Sequence, residues 1–264
     1  MADSNTFTPV PLNKARVIIT GGSSGIGLEA AIQYAMSGVP KILLNGRNEE
    51  RGQAAKQVVL NEMPDCDVDF IAADVNEIAG AQAVAARAKE KFGGVDILVN
   101  SMGSDQKPEL FHNIPIEEID ATVRRLTGVM QMCHCVQPMM REQGGGAIVN
   151  IASDAAKFAT PGEAAIGAVM AGIVMFTRTL AMEGKRDGIR ANALTPSIVQ
   201  GTRTYERVMS PGFSSKLFDK AIKAAALGVV QPEEVAPMIV FVTSPAAAKM
   251  TGQAISINGG ISAG

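Results

Sequence analysis

Seven short apolar runs, rich in valine, isoleucine and leucine, alternate along this chain with helical patterns. The predicted strands are 15–20, 41–46, 68–73, 95–100, 146–153, 189–195 and 254–260, and the main helical patterns are 25–37, a helix from about 49, 76–92, 116–141 and 162–183. Strands that are apolar on both sides need helices on both faces of their sheet. The alternation therefore predicts an α/β fold: one doubly wound, Rossmann-type domain with a seven-stranded parallel sheet.

The polar start and one polar insertion lie outside this alternation. Residues 1–13 are predicted to be flexible, which leaves 14–264 as the folded domain. Residues 198–226 contain glycine, proline and many polar side chains. We expect them to form a lid over the edge of the sheet where the strands end.

The balance of charge and the cysteine content limit the classes of partner. Lys and Arg number 24 against 26 Asp and Glu, and aromatic residues make up 4% of the chain, so no nucleic-acid surface is expected. The longest uncharged apolar run, Ala164 to Thr177, has 14 residues, fewer than the roughly 20 that cross a bilayer, so no membrane is expected either. Three cysteines and the lack of an apolar leader pattern favour the cytoplasm.

A Cys133-His134-Cys135 tripeptide falls inside the predicted helix 116–141. Neighbouring residues of a helix point about 100° apart and cannot converge on one ion. No metal site is expected at this tripeptide.

The segment TGGSSGIG, residues 20–27, lies directly between the first strand and the first helix. Glycines at such a turn allow the backbone to approach a pyrophosphate at the helix N-terminus. The loop, together with AADV, LVN and TGQAISINGG further along, resembles the short-chain dehydrogenase/reductase family over nearly the whole chain. The resemblance implies a dinucleotide site made of Gly21, Ser23, Ser24, Gly25, Ile26, Gly27, Arg47, Asp74, Val75 and Asn100.

The choice of dinucleotide depends on the end of the second strand. Members of the family that use NAD carry an acidic residue there, whereas this chain has Gly46 followed by Arg47, which can pair with a 2′-phosphate. NADP is therefore preferred, with NAD or no cofactor as the alternatives. Two departures count against binding: the family's NNAG is replaced by Asn100-Ser101-Met102-Gly103, and its PG by Pro196-Ser197.

The family's catalytic pattern is largely absent. It places a tyrosine 13 residues after a serine and a lysine four residues later, so that both lie on one helix face. Counting from Ser153 gives Ile166 and then Met170, and the position of the family's asparagine falls on Arg125. Ser153 is the only remnant, and it also suits a local backbone contact at a strand end. Carbonyl reduction by this chain is not expected.

The preferred hypothesis is a non-catalytic subunit that acts as the structural or regulatory partner of an active, paralogous NAD(P)-dependent hydroxyl or ketone oxidoreductase. The family's long helices, in this chain about 116–141 and 162–183, commonly form oligomer contacts, and both are rich in methionine and alanine. The benzylsuccinate-pathway β-hydroxyacyl-CoA dehydrogenase is one example of such a hetero-oligomer. A homotetramer is the alternative assembly.

Two other functions stay open. One is non-redox chemistry in the same cleft, using His112, Arg125, Ser153 or Glu206. The other is an NADP-binding sensor whose lid responds to the dinucleotide. Dinucleotide binding without turnover would favour the sensor.

Overall fold

The computed structural model describes residues 8–103 and 105–263. Its strands are β1 (Arg16–Thr20), β2 (Lys41–Gly46), β3 (Asp67–Ala72), β4 (Ile97–Asn100), β5 (Gly146–Ile151), β6 (Ile189–Pro196) and β7 (Ala254–Ile257). Its α-helices are α1 (Gly25–Met36), α2 (Glu49–Glu62), α3 (Ile78–Phe92), α4 (Ile116–Glu142), α5 (Ala164–Gly184), α6 (Arg203–Met209), α7 (Phe213–Ala224) and α8 (Pro232–Thr243).

All seven strands pair in parallel, in the order β3-β2-β1-β4-β5-β6-β7. Two hydrophobic clusters cover the two faces of the sheet. One is formed with α1, α2 and α8, and the other with α3, α4 and α5. The prediction of a doubly wound, seven-stranded parallel fold is confirmed.

Several observed boundaries differ from the predicted ones where a polar side chain forms a hydrogen bond with the backbone. The third helix begins at Ile78 and not at Asn76, because the Asp74 carboxylate accepts a hydrogen bond from the Asn76 amide and forms a turn. The fifth strand ends at Ile151, since Ser153 begins a short 3-10 turn. The last strand ends at Ile257, three residues earlier than predicted.

The predicted flexible start falls partly on residues 1–7, which lie outside the described residues. Within the described part, Leu12–Lys14 forms a 3-10 turn directly before β1. The predicted lid contains two helices, α6 and α7. They lie at the edge where the strands end and supply one wall of the cleft described below.

The helix α5 is both long and apolar. By length and composition alone, the stretch Ala164–Asp187 could cross a membrane. The helix packs against β6 and α4, however, and Val169, Met170 and Ile173 are buried in the core cluster on that face of the sheet. A core helix of this kind satisfies the same test of length and hydropathy.

Candidate functional site

A cleft of about 420 Å³ lies at the carboxyl ends of the strands, where such folds bind ligands. The loop after β1, the ends of β2 and β5, one side of α4 and α5, and the lid line it. Most of the residues selected from the sequence meet in this cleft: Gly21, Ser23, Ser24, Gly25, Ile26, Arg47, Asp74, Val75, Arg125, Ser153, Ile166 and Met170.

The glycine loop has the shape of a cradle for an anion. Gly21 has φ of +66°, and a β-carbon there would overlap the Ser101 carbonyl. Ser24 precedes α1 as its N-cap, and its side chain makes no capping hydrogen bond within the described chain. The first amides of α1 therefore face the cleft without a side-chain cap, which favours a negatively charged group.

Two residues of the predicted dinucleotide site lie behind this lining. A β-carbon on Gly27 would overlap the Gly21 carbonyl, so its glycine serves the packing of α1 against the loop. Asn100 is buried; it accepts a hydrogen bond from Thr20 at 3.1 Å and donates to Asn150 at 2.9 Å. These two residues shape the site from beneath.

The side of the cleft near β2 is occupied by an ion pair. The Arg47 guanidinium donates to the Asp105 carboxylate, and Arg207 of α6 lies 3.5 Å from the same carboxylate. Partial burial pushes the pKa of Asp105 upward, but the Arg47 hydrogen bond and the nearby arginine charges outweigh burial and hold that pKa below its ordinary value. The group predicted to bind a 2′-phosphate is therefore already paired with a carboxylate.

At the three positions predicted to replace the family's tyrosine, lysine and asparagine, the cleft wall carries two apolar side chains and one cation. Ile166 and Met170 lie one turn apart on α5, and Met170 is only 1% exposed. Ser153 lines the cleft, and its Oγ accepts a hydrogen bond from the Ala155 amide at 3.2 Å. Neither Ile nor Met can transfer a proton.

Arg125 faces the cleft from α4. No hydrogen bond or ion pair holds its guanidinium among the residues that the structure describes. Burial lowers the pKa of Arg125 to about 10, and the Asp105 charge opposes this shift only in part. The helix α4, which carries Arg125, packs closely against α5, because the Leu126 side chain fits against Gly172.

Glu163, the residue that precedes α5, was not among the candidates selected from the sequence. It lines the cleft, and burial raises its pKa to about 7, while a hydrogen bond with Thr160 counteracts part of the shift. A carboxyl group of this kind exchanges a proton near neutral pH. Its position directly after Pro161-Gly162, three residues before Ile166, was the available signal.

The remaining titratable candidates lie elsewhere or on the lid. His112 and Glu206 are absent from the cleft wall formed by the described residues, and His134 is exposed on α4. Tyr205 lines the cleft from α6, whereas Tyr34 is buried and bonded to Thr243. No lysine occurs among the described residues of the wall.

The cysteines of the Cys133-His134-Cys135 tripeptide face different surroundings. Cys133 is buried beneath the sheet next to Asn100, and burial raises the pKa of its thiol to about 12. Cys135 is half-buried and His134 is exposed. The three side chains do not converge, and no cluster able to hold a metal ion occurs within 8–103 and 105–263.

Comparison with known proteins agrees with the fold and the glycine loop. A family model described as enoyl-(acyl carrier protein) reductase matches residues 21–262. The chain belongs to the short-chain dehydrogenase/reductase family. The similarity to this family extends over almost the whole chain and includes both the cleft and the lid.

Within the short-chain dehydrogenase/reductase family, the similar curated proteins include acyl reductases. The chain is 31% identical to the 3-oxoacyl-(acyl-carrier-protein) reductase of Chlamydia muridarum, with 95% of this chain and 98% of that protein covered. It is 34% identical to the acetoacetyl-CoA reductase of Rhizobium meliloti, with 92% and 96% covered. A solved 3-ketoacyl-(acyl-carrier-protein) reductase of Brucella melitensis, complexed with NADH, superposes with a TM-score of 0.84 at 28% identity, over 94% of this chain and 98% of that one.

The residues of the cleft fit one half of a nicotinamide dinucleotide better than the other. The glycine loop and the open N-terminus of α1 suit the pyrophosphate. At the opposite end, Met102, Ile166 and Met170 supply no group that could hold the nicotinamide ribose. The described wall therefore has groups that suit a pyrophosphate, whereas none of these three side chains can donate a hydrogen bond to a ribose.

Proposed function

We propose that this chain is a catalytically deficient short-chain dehydrogenase/reductase subunit that supports an active, paralogous NAD(P)-dependent hydroxyl or ketone oxidoreductase. The observation that carries the proposal is the pair Ile166 and Met170 on the cleft wall, where the family's proton-transfer residues are expected. Removing one positioned acid or base typically lowers a rate by about 10²–10⁴. In this chain the tyrosine and the lysine that assists it are both replaced.

The two tyrosines of the chain do not restore the missing group. Tyr34 is enclosed in the core, and burial raises its pKa further above the ordinary value of 10. Tyr205 lies on the lid, and the described wall holds no lysine that could act together with it. Proton transfer to a ketone oxygen thus lacks the coupled pair that the family reaction needs.

The outer faces of α4 and α5 support an assembly role. Exposed apolar side chains follow one another at seven-residue spacing on each helix: Ile116, Val123 and Met130 on α4, and Met175 and Met182 on α5. Seven residues are almost two helical turns, so each set forms one stripe. Methionine-rich apolar surface of this kind suits a protein interface. We propose an active paralogue as the partner, with a homotetramer as the alternative.

The similar acyl reductases suggest the substrate class of the active partner. A ketone or hydroxyl group on an acyl thioester is the group that such a partner would reduce or oxidise, with NAD or NADP bound to the partner. The glycine loop of this chain keeps a weak dinucleotide site, and the cytoplasm is the proposed location of the assembly.

The activity of the purified chain tests the catalytic part of the proposal. Turnover of acetoacetyl-CoA is measured with NADH and with NADPH, and the acetoacetyl-CoA reductase of Rhizobium meliloti is assayed in parallel. We expect a rate at least about 10⁴ below that of the control, because an acid and its activating lysine are both absent. A rate within about 10² of the control would overturn the proposal.

A dinucleotide sensor is the second candidate function. It is favoured by one observation: Asp105 contacts both Arg47 at the end of β2 and Arg207 on the lid. A dinucleotide phosphate that binds Arg47 would compete with Asp105 and so loosen the link to the lid. Measured NADP affinity in the micromolar range or tighter, without turnover, would favour the sensor.

A further inference from the structure

The Arg125 guanidinium is half-buried and has no partner among the described residues. Arg51, whose buried Nε also lacks a partner, lies at the start of α2 and lines the same cleft. Arg16 pairs with Asp96 at 2.7 Å, and Arg190 donates to four backbone carbonyls. Even the adjacent and exposed Arg124 pairs with Glu77 and Asp120. No comparable contact satisfies the Arg125 guanidinium within the described residues.

The local charges do not neutralise Arg125. Asp105 acts on it only through its charge, and that carboxylate is already shared by Arg47 and Arg207. Glu163 lines the same cleft, and its burial favours the protonated, uncharged form. The Arg125 guanidinium, with five donors, thus faces the cleft without a hydrogen-bond acceptor among the described residues, and a ligand that excludes water from it must supply one.

Apolar side chains share the cleft wall with Arg125 and with polar groups such as Asn76 and Ser153. Gly128, one turn along α4, leaves room for the Asn76 Oδ1 atom and the Met102 methyl group, and the α5 wall carries Ile166 and Met170. Ile151 and Phe218 extend this apolar lining. The volume of about 420 Å³ is sufficient for a small organic molecule. A ligand that suits these walls has an apolar body and one anionic group.

The anionic group is more compatible with a carboxylate than with a dinucleotide phosphate. The features that suit phosphate, namely the glycine loop and Arg47, belong to the β1 and β2 side of the cleft. Arg125 belongs to α4, on the side that also carries Ile166 and Met170. A planar guanidinium binds a planar carboxylate through two parallel hydrogen bonds.

The geometry points to Arg125 as the receptor for the carboxylate of a small organic acid whose apolar body lies against Met102, Ile166 and Met170. The position of the family's asparagine has thereby become a binding position. This binding role concerns the cleft of the chain itself and does not depend on whether an active subunit is its partner.

Calorimetric titration of the purified full-length chain tests the inference. The probes are two matched pairs, hexanoate with hexanamide and 3-phenylpropanoate with 3-phenylpropanamide, which differ in charge but little in shape. We expect at least one acid to bind about 10-fold or more tightly than its amide, as a charge-assisted bidentate contact predicts. Equal binding within both pairs, or no binding of either acid, would overturn the inference.

Two variants distinguish binding at a specific site from a general effect of the chain's positively charged side chains. Arg125→Met is expected to abolish the preference for the acid, and its thermal midpoint is expected to equal or exceed that of the parent, since an unpaired and partly buried charge is removed. Arg141→Met removes the same charge from α4 outside the cleft wall and is expected to keep the preference. Loss of the preference in both variants would contradict a specific site.

A further variant and a competition experiment with inorganic phosphate complete the test. If Arg125→Met does not fold, Arg125→Lys keeps the charge but cannot form the bidentate contact, and it is expected to reduce the preference at least about threefold. Inorganic phosphate is expected not to compete with the acid at equal concentration. Equal competition would overturn the assignment to a carboxylate.

Discussion

The Arg47 guanidinium is hydrogen-bonded to the Asp105 carboxylate across the part of the cleft where a 2′-phosphate is expected to bind. Both side chains are more than half exposed, so the pair exchanges with solvent and contributes little to stability. A dinucleotide phosphate that bound at Arg47 would have to displace this carboxylate. We therefore expect Asp105 to weaken any binding of NADP at this position.

Removing that competitor should strengthen NADP binding. Asp105→Asn is expected to raise the affinity for NADP by about 1.4- to fivefold, because an exposed ion pair contributes about 0.2–1 kcal/mol. The affinity for NAD, which lacks the 2′-phosphate, should change less. Calorimetric titration with both dinucleotides measures the difference. Unchanged NADP affinity would mean that Arg47 does not contact the phosphate, and Arg47→Met provides the control by lowering NADP affinity selectively.

Restoring two family residues should not restore the reaction. The variant Ile166→Tyr with Met170→Lys places a lysine where the present side chain is 1% exposed, so we expect a loss of about 2–5 kcal/mol in the free energy of unfolding. Turnover should stay at least about 10² below that of an active reductase. Denaturant titration and a coupled NADPH assay measure the two effects.

A quadruple variant, with Arg125→Asn and Met102→Ala added to the double variant, provides the control for that prediction. Its turnover should be about tenfold or more above that of the double variant, since the first change restores the family's asparagine and the second removes a bulky side chain from the cleft. A double variant as active as the quadruple variant would show that Arg125 and Met102 do not obstruct the reaction.

The stability of the protein should depend on the protonation of Glu163. Its pKa is about 7 in the folded chain against an ordinary value of 4.5, so the folded state binds the proton more tightly than the unfolded state. This contribution is fully present below about pH 4.5 and is lost as the pH rises through about 7, a fall of at most about 3 kcal/mol. Glu163→Gln should flatten the decline in denaturant titrations between these pH values. An unchanged slope would place Glu163 in solvent.

The glycine loop should tolerate no side chain at Gly21. Gly21→Ala combines a left-handed φ of +66° with an overlap against the Ser101 carbonyl, and about 2–4 kcal/mol of unfolding free energy should be lost. Gly93→Ala is the matched control, because Gly93 has φ of +80° with open space around it and should cost only about 1 kcal/mol. Equal losses in thermal or denaturant unfolding would show that the overlap is relieved.

The exposed methionines of α5 should be needed for assembly. Met175→Glu with Met182→Glu introduces two charges into the proposed interface and should shift the particle mass to that of a smaller species. Ile78→Glu, on the equally exposed start of α3, should leave the mass unchanged. Size-exclusion chromatography with light scattering measures both variants. An unchanged mass in the methionine variant would place the interface elsewhere.

The sequence alone was sufficient to predict the strands of the sheet and to locate two apolar side chains of the cleft wall, because both depend on regular spacing. Strand periodicity predicted all seven strands, and counting from Ser153 located Ile166 and Met170, which lie together on the cleft wall. Boundary errors arose where a side chain bonds to the backbone, as Asp74 does at the start of α3. Such local turns have no periodic signal.

The parts of the site that could not be predicted depend on long-range contacts. Asp105 is 58 residues from Arg47 in sequence, and nothing in either segment indicates that they pair. The raised pKa of Glu163 follows from burial, which only the assembled fold determines. The unpaired state of Arg125 likewise emerges only when the neighbouring carboxylates have partners of their own.

The role proposed for this chain, the non-catalytic subunit of a mixed assembly, is open to one direct measurement. Native mass spectrometry of the complex isolated from its source cells, with peptide identification of each chain, determines which subunits are present. We expect an assembly that contains a second short-chain dehydrogenase/reductase chain carrying the tyrosine and the lysine. A homo-oligomer made of this chain alone would contradict the proposed role.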